Sequence, residues 1–64
     1  MVKVNGTELD IAGKTLSEYL ATTNYAPNRI AVERNGDIVF KSQYDLTVLE
    51  DGDNLEIVGF VGGG

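Results

Sequence analysis

Two Asn-Gly pairs, Asn5-Gly6 and Asn35-Gly36, constrain the fold of this chain more than any other feature of its sequence. Apolar and polar residues alternate on both sides of the first pair, across residues 2–4 and 8–11. A tight hairpin turn of type I′ needs positive φ at both central positions, and Asn followed by Gly adopts this conformation most readily. We therefore predict a β-hairpin at each pair.

A short helix is predicted between the two hairpins. Thr15-Leu16-Ser17-Glu18 has the form of a capping box, with Thr15 at the N-cap and Glu18 reaching back to it. Leu16, Tyr19 and Leu20 follow at the spacing of one apolar helix stripe. We expect the helix to end near residues 22–25, because Pro27 prevents its continuation.

The remainder of the chain predicts three more strands. Residues 30–34 and 37–40 form the second hairpin, and residues 55–60 form the final strand after a polar turn at 51–54. In the irregular connector 42–47, Tyr44 and Leu46 are expected to cover the core. A helix packed across one face of a mixed sheet of about five strands buries this pattern best. The expected fold class is α+β, of the β-grasp (ubiquitin-like) type.

The composition excludes several classes of function. The chain has 64 residues and contains neither cysteine nor histidine, which removes a disulfide framework, a thiolate zinc site and the commonest general base. A calcium site is not expected at Asp51 and Asp53, because the bidentate glutamate of an EF-hand loop would fall at Gly62. We therefore expect no metal site and no catalysis by this chain alone.

The charge balance bears on partners and location. Ten acidic residues against five basic ones give a net charge of −5, without a basic cluster that could meet a phosphate backbone. No apolar run approaches the roughly 20 residues that a membrane helix needs. Nucleic acid and membrane are not expected partners, and a cytoplasmic location is expected. One acidic group is interpreted as a solvated turn, or as a surface that steers a basic partner. Its members are Asp45, Glu50, Asp51, Asp53 and Glu56.

The sequence ends in Gly62-Gly63-Gly64, and these glycines predict a reactive tail. Three glycines add no side-chain packing and carry a large ordering entropy, so stability does not explain them. Such a tail can pass through a narrow slot and present its carboxylate to an enzyme. We predict a β-grasp domain over residues 1–60 and a flexible tail over 61–64; an inert terminus is the alternative. Val58 and Phe60 are expected on the sheet face that the helix leaves uncovered, as a docking patch or as the cover of an edge.

Over its whole length the chain resembles the ThiS family, the sulfur carrier proteins of thiamine biosynthesis. The resemblance rests on the order and spacing of five short segments: Val4-Asn5-Gly6, Thr15-Leu16, Ala31-Val32 through Asn35-Gly36, Asp51-Gly52-Asp53, and Phe60-Val61-Gly62-Gly63-Gly64. The resemblance implies that an E1-like (ThiF-like) adenylyltransferase uses ATP to adenylate Gly64, which then becomes a thiocarboxylate. It further implies a cysteine desulfurase relay as the sulfur source and a ThiG-like thiazole synthase as the acceptor.

The resemblance also assigns roles to residues near the tail. Gly62, Gly63 and Gly64 would enter the partner's active site, while Val58, Phe60 and Val61 would dock the enzymes. The chain itself would be a carrier and substrate without a bound cofactor, and a monomer when alone. Two alternatives stay open: the small subunit of molybdopterin synthase or another ubiquitin-like sulfur carrier, and a non-catalytic β-grasp binding module with an inert tail.

Overall fold

A computed structural model describes residues 1–60 of the chain, so the predictions made for Val61, Gly62, Gly63 and Gly64 lie outside the described residues. Five strands and one α-helix follow each other along the chain: β1 (Val2–Val4), β2 (Thr7–Leu9), α1 (Leu16–Leu20), β3 (Ile30–Arg34), β4 (Asp37–Val39) and β5 (Asn54–Gly59). Two 3₁₀ turns, Pro27–Arg29 and Lys41–Gln43, lie before β3 and after β4.

The strands form one mixed sheet in the order β2-β1-β5-β3-β4. β1 pairs antiparallel with β2 and parallel with β5, while β3 pairs antiparallel with both β4 and β5. The predicted mixed five-stranded sheet with a single helix is confirmed. The final strand β5 occupies the centre of the sheet, between β1 and β3.

Both hairpin turns have the predicted geometry. Asn5 and Asn35 have φ angles of 49° and 52°, and the glycines that follow them have φ angles of 87° and 88°. Positive φ at both central positions defines the type I′ turn, whose twist matches that of the flanking strands. These turns set the register of β1 with β2 and of β3 with β4.

The capping box at the start of α1 is also confirmed. The Glu18 N–H donates to Thr15 Oγ1 at 3.1 Å, and the Thr15 N–H donates to Glu18 Oε1 at 2.7 Å. The helix ends at Leu20, earlier than expected, because the hydroxyls of Thr22 and Thr23 bond to the carbonyls of residues 19 and 20 at 2.7 Å each. Within residues 1–60, no helix is long and apolar enough to cross a membrane.

A single hydrophobic core lies between α1 and one face of the sheet. Its buried members are Val2, Val4, Ile11, Leu16, Tyr19, Leu20, Ile30, Val32, Val39, Tyr44, Leu49, Leu55 and Ile57. The expectation for Tyr44 is confirmed, but that for Leu46 is wrong, since its side chain is 79% exposed. The N–H groups of Leu46 and Thr47 both donate to the Gln43 carbonyl at 3.0 Å, and this tight turn directs Leu46 outward.

Candidate functional site

The C-terminal end of β5 is held in the sheet up to the last described residue. The Phe60 N–H donates to the Arg29 carbonyl at 2.7 Å, which continues the ladder between β3 and β5 one step beyond Gly59. The main chain is therefore hydrogen-bonded to the sheet as far as Phe60.

Side chains of β5 alternate between the two faces of the sheet, as the sequence predicts. Leu55 and Ile57 are buried in the core, whereas Val58 and Phe60 are 58% and 60% exposed. We call the side of the sheet that α1 does not cover the outer face. The predicted placement of Val58 and Phe60 on this face is confirmed.

Two further apolar side chains, Ile38 and Phe40, are exposed on the outer face and were not predicted as site residues. They are 64% and 66% exposed, and they flank Val39, which points into the core. Because Val32 pairs with Val39 and Ala31 pairs with Val58, the register places Phe40, Ala31 and Val58 side by side across three strands. The alternation of side chains around Val39 could have identified Ile38 and Phe40 as exposed. Only the register between β4, β3 and β5 shows that they lie on the same surface as Val58.

We call these five residues, Ala31, Ile38, Phe40, Val58 and Phe60, the apolar patch. Two exposed carboxylates lie at its margin, because Glu33 pairs with Glu56 across β3 and β5 and with Ile38 across β3 and β4. Apolar surface bordered by charge is typical of a protein-binding surface. The arrangement suits docking of a protein partner.

The hairpin residue Asn5 supports the exposed half of β5. Its side-chain amide exchanges two hydrogen bonds with the main chain of Ile57, and its own N–H donates to the Leu55 carbonyl at 2.9 Å. β1 ends at Val4, so the Asn5 side chain takes the place of a strand neighbour beside Ile57. This contact helps to hold the strand that carries Val58.

Asp53 is a structural residue, and the interpretation of its segment as a solvated turn is wrong for this side chain. It is 7% exposed and accepts hydrogen bonds from Arg34 Nε at 2.9 Å, Asn35 Nδ2 at 3.0 Å and the Glu50 N–H at 2.9 Å. Burial alone would raise the pKa of Asp53, but these hydrogen bonds outweigh it and hold the pKa below its ordinary value. Residues 1–60 contain no group of side chains suited to bind a metal ion.

The chain is similar to one protein family over nearly its full length. The model of the ThiS family matches residues 2–64. The sulfur carrier protein ThiS of Bacillus subtilis is 38% identical over 68 aligned positions that cover both chains completely. A crystal structure of the thiamine biosynthesis protein ThiS from Geobacter metallireducens superposes with a TM-score of 0.77 at 33% identity, covering 98% of this chain and 97% of that one.

Two curated relatives are much longer proteins. The thiazole synthase of Magnetococcus marinus is 43% identical over 53 residues, and that of Paramagnetospirillum magneticum is 44% identical over 62 residues. The matched segments cover 83% and 95% of this chain but only 16% and 19% of the thiazole synthases. A segment similar to this chain is therefore part of the same polypeptide as a thiazole synthase in both organisms.

Proposed function

The chain belongs to the ThiS family, the sulfur carrier proteins of thiamine biosynthesis, and we propose that its carrier group is the carboxylate of Gly64. The observation that carries this proposal is the family match, which continues through residue 64 and so includes all three glycines. The fold supports it, because the central strand β5 leads directly into this segment.

The proposed chemistry has two steps. An α-carboxylate is ionised at neutral pH, and one of its oxygens attacks the α-phosphorus of ATP, so that pyrophosphate leaves and an acyl adenylate forms. A sulfide equivalent then attacks the acyl carbon, and AMP leaves with one of the original carboxylate oxygens. The product is a thiocarboxylate at Gly64. ATP is bound by the partner enzyme, and Gly62 and Gly63 allow the chain to enter its active site because they lack side chains.

The resemblance to the ThiS family implies three partners for this chemistry. An E1-like adenylyltransferase supplies the activation, a cysteine desulfurase relay supplies the sulfur, and a thiazole synthase accepts it. The two thiazole synthases that contain a similar segment support the last of these partners. We place these encounters in the cytoplasm, where thiols and thiocarboxylates stay reduced.

The apolar patch is the proposed docking surface for these enzymes. Val58 and Phe60 belong to it, and Val61 continues the same segment of chain. Ile38 and Phe40 extend the surface onto the edge strand β4. A few side chains near the centre of an interface, aromatic ones prominent among them, provide most of its binding energy.

Intact mass spectrometry tests the proposal. The purified chain is incubated with ATP and the adenylyltransferase of the same organism, with and without a sulfide donor. We expect the mass of an adenylate in the first case and the replacement of one oxygen by sulfur in the second. A variant without Gly64 should keep its circular dichroism spectrum and remain unmodified. Unchanged wild-type mass would contradict the proposal, and so would a modified truncated variant.

A further inference from the structure

The pairing of Glu33 with Glu56 is unusual for two strands at the middle of a sheet. These residues lie directly opposite each other on β3 and β5, and both are exposed on the outer face. The hydrogen bond from the Phe60 N–H to the Arg29 carbonyl makes these two residues a hydrogen-bonded pair. Such pairs alternate with non-hydrogen-bonded pairs along an antiparallel ladder, so Glu33 and Glu56 also form a hydrogen-bonded pair, with Cα atoms about 5.5 Å apart. Like charges in this position destabilise a sheet.

Neither carboxylate takes part in an ion pair within residues 1–60. The ion pairs among residues 1–60 join the N-terminus to Asp51 and Arg34 to Glu50 and Asp53. Lys3 also lies on the outer face, where its register partners are Glu8 on β2 and Asn54 on β5, two residues before Glu56. The two carboxylates therefore repel each other in the free protein, and no ion pair among residues 1–60 holds either of them.

This pair continues directly into the apolar patch. Ala31 and Val58, which form the next outward-facing pair along β3 and β5, lie two residues from Glu33 and Glu56. A partner that covers the patch would bring its own residues over both carboxylates. Arginine is enriched at such interfaces, and its planar guanidinium can bond to two carboxylate oxygens at once.

We propose that Glu33, Glu56 and the apolar patch form one docking surface for thiazole synthase, with an arginine or lysine of that enzyme placed between the two carboxylates. This inference rests on the proposed function, which supplies the partner. The repulsion in the free protein is relieved in the complex, and the acidic pair complements a basic position on the enzyme. The net charge of −5 adds long-range attraction to a basic surface.

The test measures the affinity of this chain for the purified thiazole synthase of the same organism by isothermal titration calorimetry at low and high ionic strength. The E33Q/E56Q variant removes the acidic pair. The matched control, E8Q/D10N, changes the net charge by the same amount at and just after the edge strand β2. We expect E33Q/E56Q to bind about tenfold more weakly at low salt and to lose most of the salt dependence, while the control stays within about twofold of wild type.

Thermal unfolding separates docking from folding. Because the substitution removes a repulsion, the midpoint of E33Q/E56Q should equal or exceed that of wild type. Equal losses of affinity in both variants would overturn the inference, as would unchanged affinity of E33Q/E56Q or no binding of wild type. Conversion of the wild-type chain to the thiocarboxylate, followed by intact mass, tests the proposed function separately. If the wild-type chain is thiolated but E33Q/E56Q binds thiazole synthase as tightly as wild type does, only this inference is contradicted.

Discussion

The side chain of Asn5 pairs with the main chain of Ile57 as a neighbouring strand would. Asn5 Oδ1 accepts the Ile57 N–H at 2.8 Å, and Asn5 Nδ2 donates to the Ile57 carbonyl at 3.1 Å. The same residue has the positive φ that its hairpin turn requires. Asn5 therefore has two roles. Its main chain forms the first hairpin turn, and its side chain extends the hydrogen bonding of the sheet along β5, 52 residues away in sequence.

Substitutions of Asn5 should separate these two roles. Asn5→Gly keeps the positive φ but removes the amide, and we expect it to lower the free energy of unfolding by about 1–3 kcal/mol. Asn5→Ala also loses the favourable turn conformation and should cost about 1–2 kcal/mol more. Urea denaturation measures both values. Hydrogen exchange at the Ile57 amide should accelerate in both variants, and a protected amide in Asn5→Gly would contradict the strand-like pairing.

The Asp53 cluster predicts a pH dependence of stability. Asp53 has a folded-state pKa below its ordinary value of 3.8, so its contribution is present above that value. It is lost as the pH falls below 3.8 and through the folded-state pKa. Asp53→Asn should destabilise the protein by about 1–3 kcal/mol at neutral pH, because Arg34 and the Glu50 N–H lose a charged acceptor.

Urea denaturation of wild type and Asp53→Asn across the acidic range measures this effect. The difference between the two proteins should shrink as the pH falls below 3.8 and through the lowered folded-state pKa of Asp53, since protonation removes the same charge from wild type. Asp10→Asn changes the net charge equally at an exposed position and serves as the control. A difference that stays constant with pH would show that the Asp53 charge does not support the turn.

Features set by neighbouring residues could be read from the sequence. The Asn-Gly turns and the capping box of Thr15 and Glu18 depend on a few adjacent positions, and the structure contains all of them. The alternation along β5 likewise predicted the buried and exposed sides of that strand. These local patterns were sufficient for the fold class.

Features that depend on long-range contacts could not be read from the sequence. The role of Asp53 depends on Arg34, which lies 19 residues away, and the apolar patch depends on the register between β4, β3 and β5. Leu46 was misplaced because a turn at Gln43 reverses the direction of its side chain. The residues next to Asp53 and Leu46 in the sequence do not indicate which distant groups these side chains contact or which way they point.

A substitution in the apolar patch should weaken partner binding and leave the stability of the fold nearly unchanged. Phe40→Ser should change the free energy of unfolding by no more than about 0.5 kcal/mol, because Phe40 is exposed. Its affinity for thiazole synthase or the adenylyltransferase should fall about tenfold, since an aromatic anchor is lost. Leu46→Ser, at an exposed apolar position outside the patch, is the matched control. Equal affinity of the two variants would argue against docking through this face.

Transfer of labelled sulfur tests the central claim most directly. The chain is converted to its thiocarboxylate with isotopically labelled sulfide, purified, and incubated with thiazole synthase and the substrates of that enzyme. The account predicts that the label appears in the thiazole product and that the chain returns to its original mass as a carboxylate. Label that stays on the chain, or a thiazole product without label, would contradict the role of this chain as the sulfur donor.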